Sequence, residues 1–345
     1  MSKQYKVAVV IGRFQPFHNQ HAALVQKGFE IAENVIVLVG GAYKPRTPKD
    51  PFTFEERADM IGDWYIENHM QFGEAELAVQ PIRDFMYSDS NWAENVQRTV
   101  AAEFIADSTQ IVIVGCNKDE SSFYLKMFPQ WALHEEPYNE HIDATQIREL
   151  LYDDRSLDFL KGAVPTPTLT FLRTFKEDTK DVFDDIVHER DVVAKYRKSW
   201  ERAPYAPTFI TTDAVVIQSG HILLVTRGSA PGRGLNALPG GFLEQDERII
   251  DGVIRELREE TKIKVAGPVL RGSIRETQIF DHPKRSSRGR TVTNAALIVL
   301  PDGPLPKVKG SDDAIKAAWY PLGELSSEMF FEDHFDIIEY FKARV

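Results

Sequence analysis

Two stretches of this chain carry side chains whose types and spacing suit phosphate chemistry. In the first, Ile11-Gly12-Arg13-Phe14-Gln15-Pro16-Phe17-His18-Asn19-Gln20-His21 follows an apolar run. Gly12 allows close backbone approach to a ligand, and Arg13, His18 and His21 are donors suited to phosphate oxygens. In the second, Glu256, Glu259 and Glu260 recur at i, i+3 and i+4 within a helical pattern. Like charges at that spacing destabilise a helix unless something compensates, and a divalent cation is the obvious compensation. Taken alone, a His-x-x-His pair or a Glu-rich helix is more often plain surface, so the elements around each must decide.

The first half alternates short apolar runs (7–11, 35–39, 77–82, 111–114) with helical segments (about 22–33, 54–67 and 92–106). Such alternation implies right-handed crossovers and a Rossmann-like, doubly wound parallel sheet. The histidine loop joins the first strand to the first helix. Ligands bind at that edge of an open α/β sheet, where a helix N-terminus offers N–H groups and partial positive charge. The second half reads as strands at 208–217 and 222–226, a Gly/Pro-rich loop, one strong helix, further strands up to 320 and a last helix near 335–343. Hairpins around one helix predict an α+β domain with a mixed sheet. On that helix Ile250, Val253, Ile254 and Leu257 form one apolar stripe, with the three glutamates on a neighbouring arc about a third of a turn away.

At 345 residues the chain exceeds the usual size of one core, so two domains are expected. A charged stretch at 176–200 followed by Ala203-Pro204-Tyr205-Ala206-Pro207 places them at 1–185 and 207–345, with a charged linker at 186–206. The net charge of −11 argues against a nucleic-acid partner while leaving small phosphorylated ligands open. The one cysteine, Cys116, cannot form an internal disulfide and reads as a buried spectator. Without a secretory leader or an apolar run of about 18 residues, a cytoplasmic protein with no membrane partner is expected.

Gly-Arg-Phe-Gln-Pro-Phe-His resembles the nucleotidyltransferase superfamily with a His-x-Gly-His loop, specifically its archaeal-type nicotinamide mononucleotide adenylyltransferases. Residues 51–57, 84–92, 114–122 and 128–131 are similar to that branch in order and spacing, and Ile142-Asp143-Ala144-Thr145-Gln146-Ile147-Arg148 matches its second signature. The resemblance implies ATP phosphates held by Gly12, Arg13, Phe14, Lys44, Arg46, Gly115, Lys118, Asp119 and Thr145. His18, His21 and Arg148 would act at the transferred phosphate, and Asp84, Asn91 and Trp92 at the nicotinamide mononucleotide, with Trp92 stacking on its ring. Mg²⁺ would be held largely by phosphate oxygens and water. Two positions depart from the signatures: Gln20 stands for a glycine and Asp143 for a serine.

The spacing Gly-x5-Glu-x7-Arg-Glu-Leu-x-Glu-Glu from Gly241 to Glu260 resembles the Nudix box, with similar flanks at 238–241 and 312–322. It implies that Glu256, Glu259 and Glu260 bind Mg²⁺ or Mn²⁺ with help from the Gly241 carbonyl, Glu259 and Glu260 being catalytic. Glu247 and Arg255 would orient the carboxylates. The general base is open between Glu260 and an acidic residue on a distant loop. Lys262 replaces the glycine that ends the box helix in a left-handed conformation. The basic loop 280–290 resembles loops of ADP-ribose-hydrolysing members, which implies substrate contacts from Arg285, Arg288 and Arg290, with Arg275 a weaker candidate. Together the modules are similar to a bifunctional group that makes NAD⁺ from nicotinamide mononucleotide and ATP and hydrolyses ADP-ribose. Alternatives are another small-molecule nucleotidyltransferase joined to a Nudix hydrolase of NADH or nucleotide sugars, or a Nudix domain sensing ADP-ribose without catalysis. Oligomeric state is left open.

Overall fold

The central strands of the first half are apolar on both faces because both faces are buried. In the computed structural model, which describes residues 3–117, 120–138 and 143–345, β1 (Tyr5–Gly12) sends Ala8 and Val10 into one core and Val7, Val9 and Ile11 into another. β2 (Ala32–Val39) repeats the alternation with Val35, Val37 and Val39 against Ile36 and Leu38. β3 (Leu77–Pro81), β4 (Ile111–Gly115) and β5 (Ala132–Glu135) complete a five-stranded, all-parallel sheet of order β3-β2-β1-β4-β5. Its strand order reverses at β1, where β2 and β4 flank it, and in open α/β sheets ligands bind outside the carboxyl ends of the strands at such a reversal.

Helices α1 (Asn19–Ile31) and α2 (Phe54–Asn68) cover the first core through Leu24, Val25, Met60 and Ile61, and α3 (Asp89–Glu103) covers the second through Val96 and Val100. A capping box starts α2, with Glu56 N–H donating to Thr53 and Thr53 N–H to Glu56. α4 (Ala144–Tyr152), α5 (Thr166–Asp178) and α6 (Lys180–Lys198) follow. The chain divides into compact units Met1–Val187 and His188–Val345, so the charged stretch expected as a linker is largely helix α6. α6 stops three residues after Lys195, before the proline-flanked segment.

The second unit builds a mixed sheet of order β10-β11-β6-β7-β12 from β6 (Thr208–Gln218), β7 (His221–Arg227), β10 (Ile274–Phe280), β11 (Arg290–Val299) and β12 (Ala314–Pro321). Two short strands attach to it, β8 (Asn236–Ala237) to β7 and β9 (Gly240–Phe242) to β6. Only the β6–β11 pairing among these is parallel. The box helix α7 (Ile249–Thr261) lays Val253, Ile254 and Leu257 on Ala214, Val216, Leu223 and Ile298. Truncating fully buried Leu257 to alanine would cost about 2–5 kcal/mol. α8 (Gly267–Gly272) and α9 (His334–Lys342) complete the unit. No helix of the described residues is long and apolar enough to cross a membrane.

Candidate active sites

The loop after β1 turns back on itself at Phe14, whose φ of 51° lies in the left-handed region. Its ring folds under the loop, 1% exposed, and a Cβ at Gly12 would sit 2.9 Å from it. Gly12 is thus required by the Phe14 ring, and Phe14 can meet a phosphate only through its backbone. His18 stands as N-cap of α1 with His21 one turn on. Their rings stack at 3.7 Å between centroids, and the His18 N–H donates to His21 Nδ1. Burial, reinforced by the neighbouring His18, holds His21 well below the usual histidine range, so it is a neutral imidazole near pH 7. Arg148, on α4, is buried and donates to the Gln15 carbonyl at 2.6 Å and to Thr145 Oγ1 at 3.3 Å. The two signatures, 133 residues apart at that bond, therefore meet.

Arg13 reaches two carboxylates, Asp50 at 3.0 Å and Asp84 at 2.8 Å, and Lys44 joins Asp84 at 2.9 Å. The Gly41 N–H donates to the other Asp84 oxygen. Burial opposes ionisation of Asp84, yet Lys44 and Arg13 outweigh it and keep its pKa below the ordinary value. Asp84, expected at the nicotinamide mononucleotide, binds Arg13 and Lys44, the two cations expected at the ATP phosphates. Arg46 engages Glu56 at two points and the Pro51 carbonyl, which ties it to the start of α2. Asn91 is exposed in the first turn of α3, and half-buried Trp92 packs on Tyr124 and Phe128 beside the second core. Gly115 has a packing reason, since a Cβ there would lie 2.5 Å from Leu125. Lys118 and Asp119 lie outside the described residues.

In the second unit, Arg255 grips Glu247 at 2.6 and 3.0 Å and extends to Glu256 at 2.8 Å and Glu259 at 3.1 Å. Glu260 accepts from the Gly240 N–H at 3.0 Å. A Cβ at Gly241 would lie 2.4 Å from Glu256 Oε1, so any side chain there would displace that carboxylate. Glu256 and Glu260 are each only 9% exposed. Burial first, then Glu256 and Asp213, pushes Glu260 up to about 8, and burial also raises Glu256.

Beside them opens a pocket lined by Glu260, Gly241, Phe242, Arg227, Arg288 and Glu332, among others. Of the four arginines expected there, Arg288 lines it with its guanidinium 5.3 Å from the Phe242 ring. Arg285 lines it too, but its fork is closed on Asp333 at 2.8 and 2.9 Å. Arg290 bonds to the Asp281 carbonyl, and Arg275 is exposed on edge strand β10; neither lines this pocket. The structure adds Arg227, stacked 4.1 Å over Phe331, and the buried Asp213 and His334. A charged residue inside the apolar strand Thr211-Thr212-Asp213-Ala214-Val215-Val216, and Arg227 at the end of another, were the signals in the sequence.

The model of the cytidylyltransferase-like family matches residues 9–211, and that of the NUDIX domain residues 207–341. A nicotinamide/nicotinic acid mononucleotide adenylyltransferase of Acinetobacter baylyi is 36% identical, over 50% of this chain and 88% of that protein. An ADP-ribose pyrophosphatase of Methanocaldococcus jannaschii is 31% identical, over 45% of this chain and 80% of that protein. Over almost the full length, the crystal structure of a bifunctional NMN adenylyltransferase/ADP ribose pyrophosphatase from Francisella tularensis aligns with a TM-score of 0.90 at 34% identity, covering 98% of this chain and 99% of that one. The chain belongs to the cytidylyltransferase-like family, joined to a NUDIX domain. A second structure of the Francisella tularensis enzyme, complexed with AMP and Mn ion, has a TM-score of 0.86 and 34% identity and covers 99% of each chain.

The departures from the family signatures have local explanations. In the cytidylyltransferase-like half, the Gln20 side chain turns away to donate to the Pro137 carbonyl. Asp143 caps α4 by accepting from the Thr145 N–H at 2.7 Å, as a serine would. In the NUDIX half, Lys262 ends α7 at φ 46° and ψ 30°, adopting the left-handed conformation usually left to glycine.

The NUDIX carboxylates also suit a divalent cation in their chemistry. Glu256 and Glu260 are hard oxygen donors in a buried place where desolvation and the repulsion of neighbouring carboxylates raise their pKa values, and a cation would relieve both. Among the described residues no three His, Cys, Asp or Glu side chains are grouped so as to hold a metal ion, and Arg255 bonds to Glu256 and Glu259.

Proposed function

We propose that the chain is a bifunctional enzyme of NAD metabolism. Its first half transfers AMP from ATP to nicotinamide mononucleotide, giving NAD⁺ and pyrophosphate, and its second half hydrolyses ADP-ribose to AMP and ribose 5-phosphate. The observation that carries this reading is the end-to-end likeness to one bifunctional enzyme, which covers both sites on a single chain.

In the transferase, an oxygen of the mononucleotide phosphate forms a bond to the α-phosphorus of ATP while the bond to the β-phosphate oxygen breaks. No covalent enzyme intermediate is needed, so positioning and charge neutralisation carry the catalysis. Arg13, Lys44 and Arg148 supply fixed positive charge, and the neutral His21 and its neighbour His18 supply N–H donors at the head of α1, where the helix dipole adds to them. Thr145 donates from the start of α4. Trp92, Asn91 and the Asp84 region face the mononucleotide. Mg²⁺ bound to the triphosphate completes the charge balance.

In the hydrolase, Glu256, Glu259, Glu260 and the Gly241 carbonyl would hold Mg²⁺ or Mn²⁺, with Glu247 and Arg255 keeping the carboxylates aimed. A divalent cation there supplies Lewis acidity to the diphosphate and lowers the pKa of a water. Arg288 and Arg227, which line the same pocket, neutralise the diphosphate, and Arg285, also in its lining, is held by Asp333. Incubating the purified chain with Mg²⁺ and nicotinamide mononucleotide plus ATP, and separately with ADP-ribose, should yield NAD⁺ and AMP respectively by chromatography. Absence of NAD⁺ would sink the transferase assignment, and absence of AMP the hydrolase.

A further inference from the structure

Arg57 has no part in either signature's chemistry, yet among the described residues it is the bulkiest side chain buried below 2% exposure, at 1%. An arginine so buried normally has a carboxylate partner, because an unpaired charge is costly to remove from water. Here the bonds go to backbone carbonyls instead. Nη1 donates to the carbonyls of Arg13 and Gly40, both at 2.7 Å, Nε to that of Thr53 at 2.9 Å, and Nη2 to that of Gly41 at 3.4 Å. Those four residues belong to the loop after β1, the loop after β2 and the N-cap of α2. The cost of burial shows in a pKa lowered to about 10, chiefly by desolvation.

The consequence follows from peptide geometry. Across a trans peptide the C=O and N–H point in opposite directions. Holding the Gly40 carbonyl inward therefore turns the Gly41 N–H outward, and that N–H meets Asp84 Oδ1 at 3.2 Å. Asp84 in turn binds the Arg13 guanidinium and Lys44. Holding the Arg13 carbonyl likewise turns the Phe14 N–H away from the core, toward the side where a phosphate would lie. One buried guanidinium thus orients two peptide units and, through Asp84, two cations.

Resting on the transferase reading above, we propose that Arg57 is a positioning residue of the adenylyltransferase site, fixing the Arg13–Phe14 and Gly40–Gly41 peptides so that Asp84 holds the Arg13 and Lys44 cations in register with the ATP phosphates. A lysine could not replace it, because a single ammonium cannot span three segments in the fork geometry of a guanidinium.

The test uses the full chain with Arg57→Lys, Arg57→Met, Asp84→Asn and the Arg57→Lys/Asp84→Asn double variant, with steady-state NAD⁺ synthesis measured separately against ATP and nicotinamide mononucleotide. Intrinsic tryptophan fluorescence and thermal unfolding report on folding, and ADP-ribose hydrolysis serves as an internal measure of active chain. The expected result is a fall of roughly 10–100-fold in kcat/KM for ATP in folded Arg57→Lys, with a smaller change in KM for the mononucleotide. Because both substitutions act on one network, the double variant should lose much less than the product of the single losses. If Arg57→Met does not fold, Arg57→Lys and the double variant still decide the matter. Kinetics of folded Arg57→Lys within twofold of the parent, or losses with Asp84→Asn that simply multiply, would overturn the proposal. Failure of the parent chain to make NAD⁺ would instead overturn the transferase reading on which it rests.

Discussion

The two halves of this chain handle phosphate with opposite charge inventories. The cytidylyltransferase-like half brings its own positive charge, from Arg13, Lys44 and Arg148, and holds the first two in place through Asp84. The NUDIX half instead buries Glu256 and Glu260, carboxylates of the kind a divalent cation binds. Their buried arginines differ in the same sense. Arg57 is satisfied by carbonyls and sets the direction of loops, whereas Arg285 is satisfied by Asp333 and locks the segment before α9 to the basic loop. A buried guanidinium on carbonyls arranges backbone; one on a carboxylate closes a contact.

The largest test of that contrast is Glu260→Gln. It should lower ADP-ribose hydrolysis on the order of 10³-fold, about 4 kcal/mol of transition-state stabilisation, and leave NAD⁺ synthesis unchanged. Loss of both activities would show that the halves are not chemically independent. Next, Asp333→Ala strands a guanidinium whose side chain is 4% exposed, opposite a carboxylate at 0%. A cost of about 3–5 kcal/mol, and a drop of roughly 10 °C in the melting temperature of the NUDIX half, is expected by calorimetry. A change within about 2 °C, the scale of an exposed ion pair, would mean that Arg285 and Asp333 do not lock these segments together.

Chelation probes the imported charge directly. Glu260, at about 8 in the folded chain against 4.5 as an ordinary glutamate, binds more protons folded than unfolded. Its contribution to stability is full below 4.5 and lost as pH rises through about 8. In excess chelator the NUDIX transition should therefore weaken with rising pH across that window, added Mg²⁺ should reverse the loss, and Glu260→Gln should flatten the dependence. A chelated protein whose melting temperature rises across the window would contradict the sign. The smallest effect expected is from Lys262→Gly, which relieves a left-handed lysine and should stabilise the NUDIX half by up to about 1 kcal/mol in urea unfolding.

Legibility in the sequence tracked how local the cause was. β1, β2 and β4 read clearly because burial on both faces makes them continuously apolar, and α7 because its stripe repeats at the helical period. β5 was not anticipated: four residues with alternating half-buried and exposed positions carry little pattern, and only pairing with β4 makes them a strand. α1 stops at Ile31, short of the expected 33, because Ala32 already joins β2. The glycines were legible as special positions, but the reasons for two of them were not. Gly12 and Gly115 make room for Phe14 and Leu125, contacts invisible until the chain folds. Asp213, Arg227 and His334 come from β6, β7 and the start of α9, and no spacing in the chain announces that they share a pocket.

Residue types and local spacing thus determined the kind of chemistry each half can do, the order of the two modules and the elements that display their signatures, since helix period, strand alternation and capping act over a few residues. Tertiary structure decided which charges answer one another. Arg13 finds Asp84 across 71 residues and Arg285 finds Asp333 across 48. In each case the partner is set by which strand ends and loops the fold brings within about 3 Å, the range over which a guanidinium and a carboxylate can share hydrogen bonds. A sequence pattern carries no record of that approach.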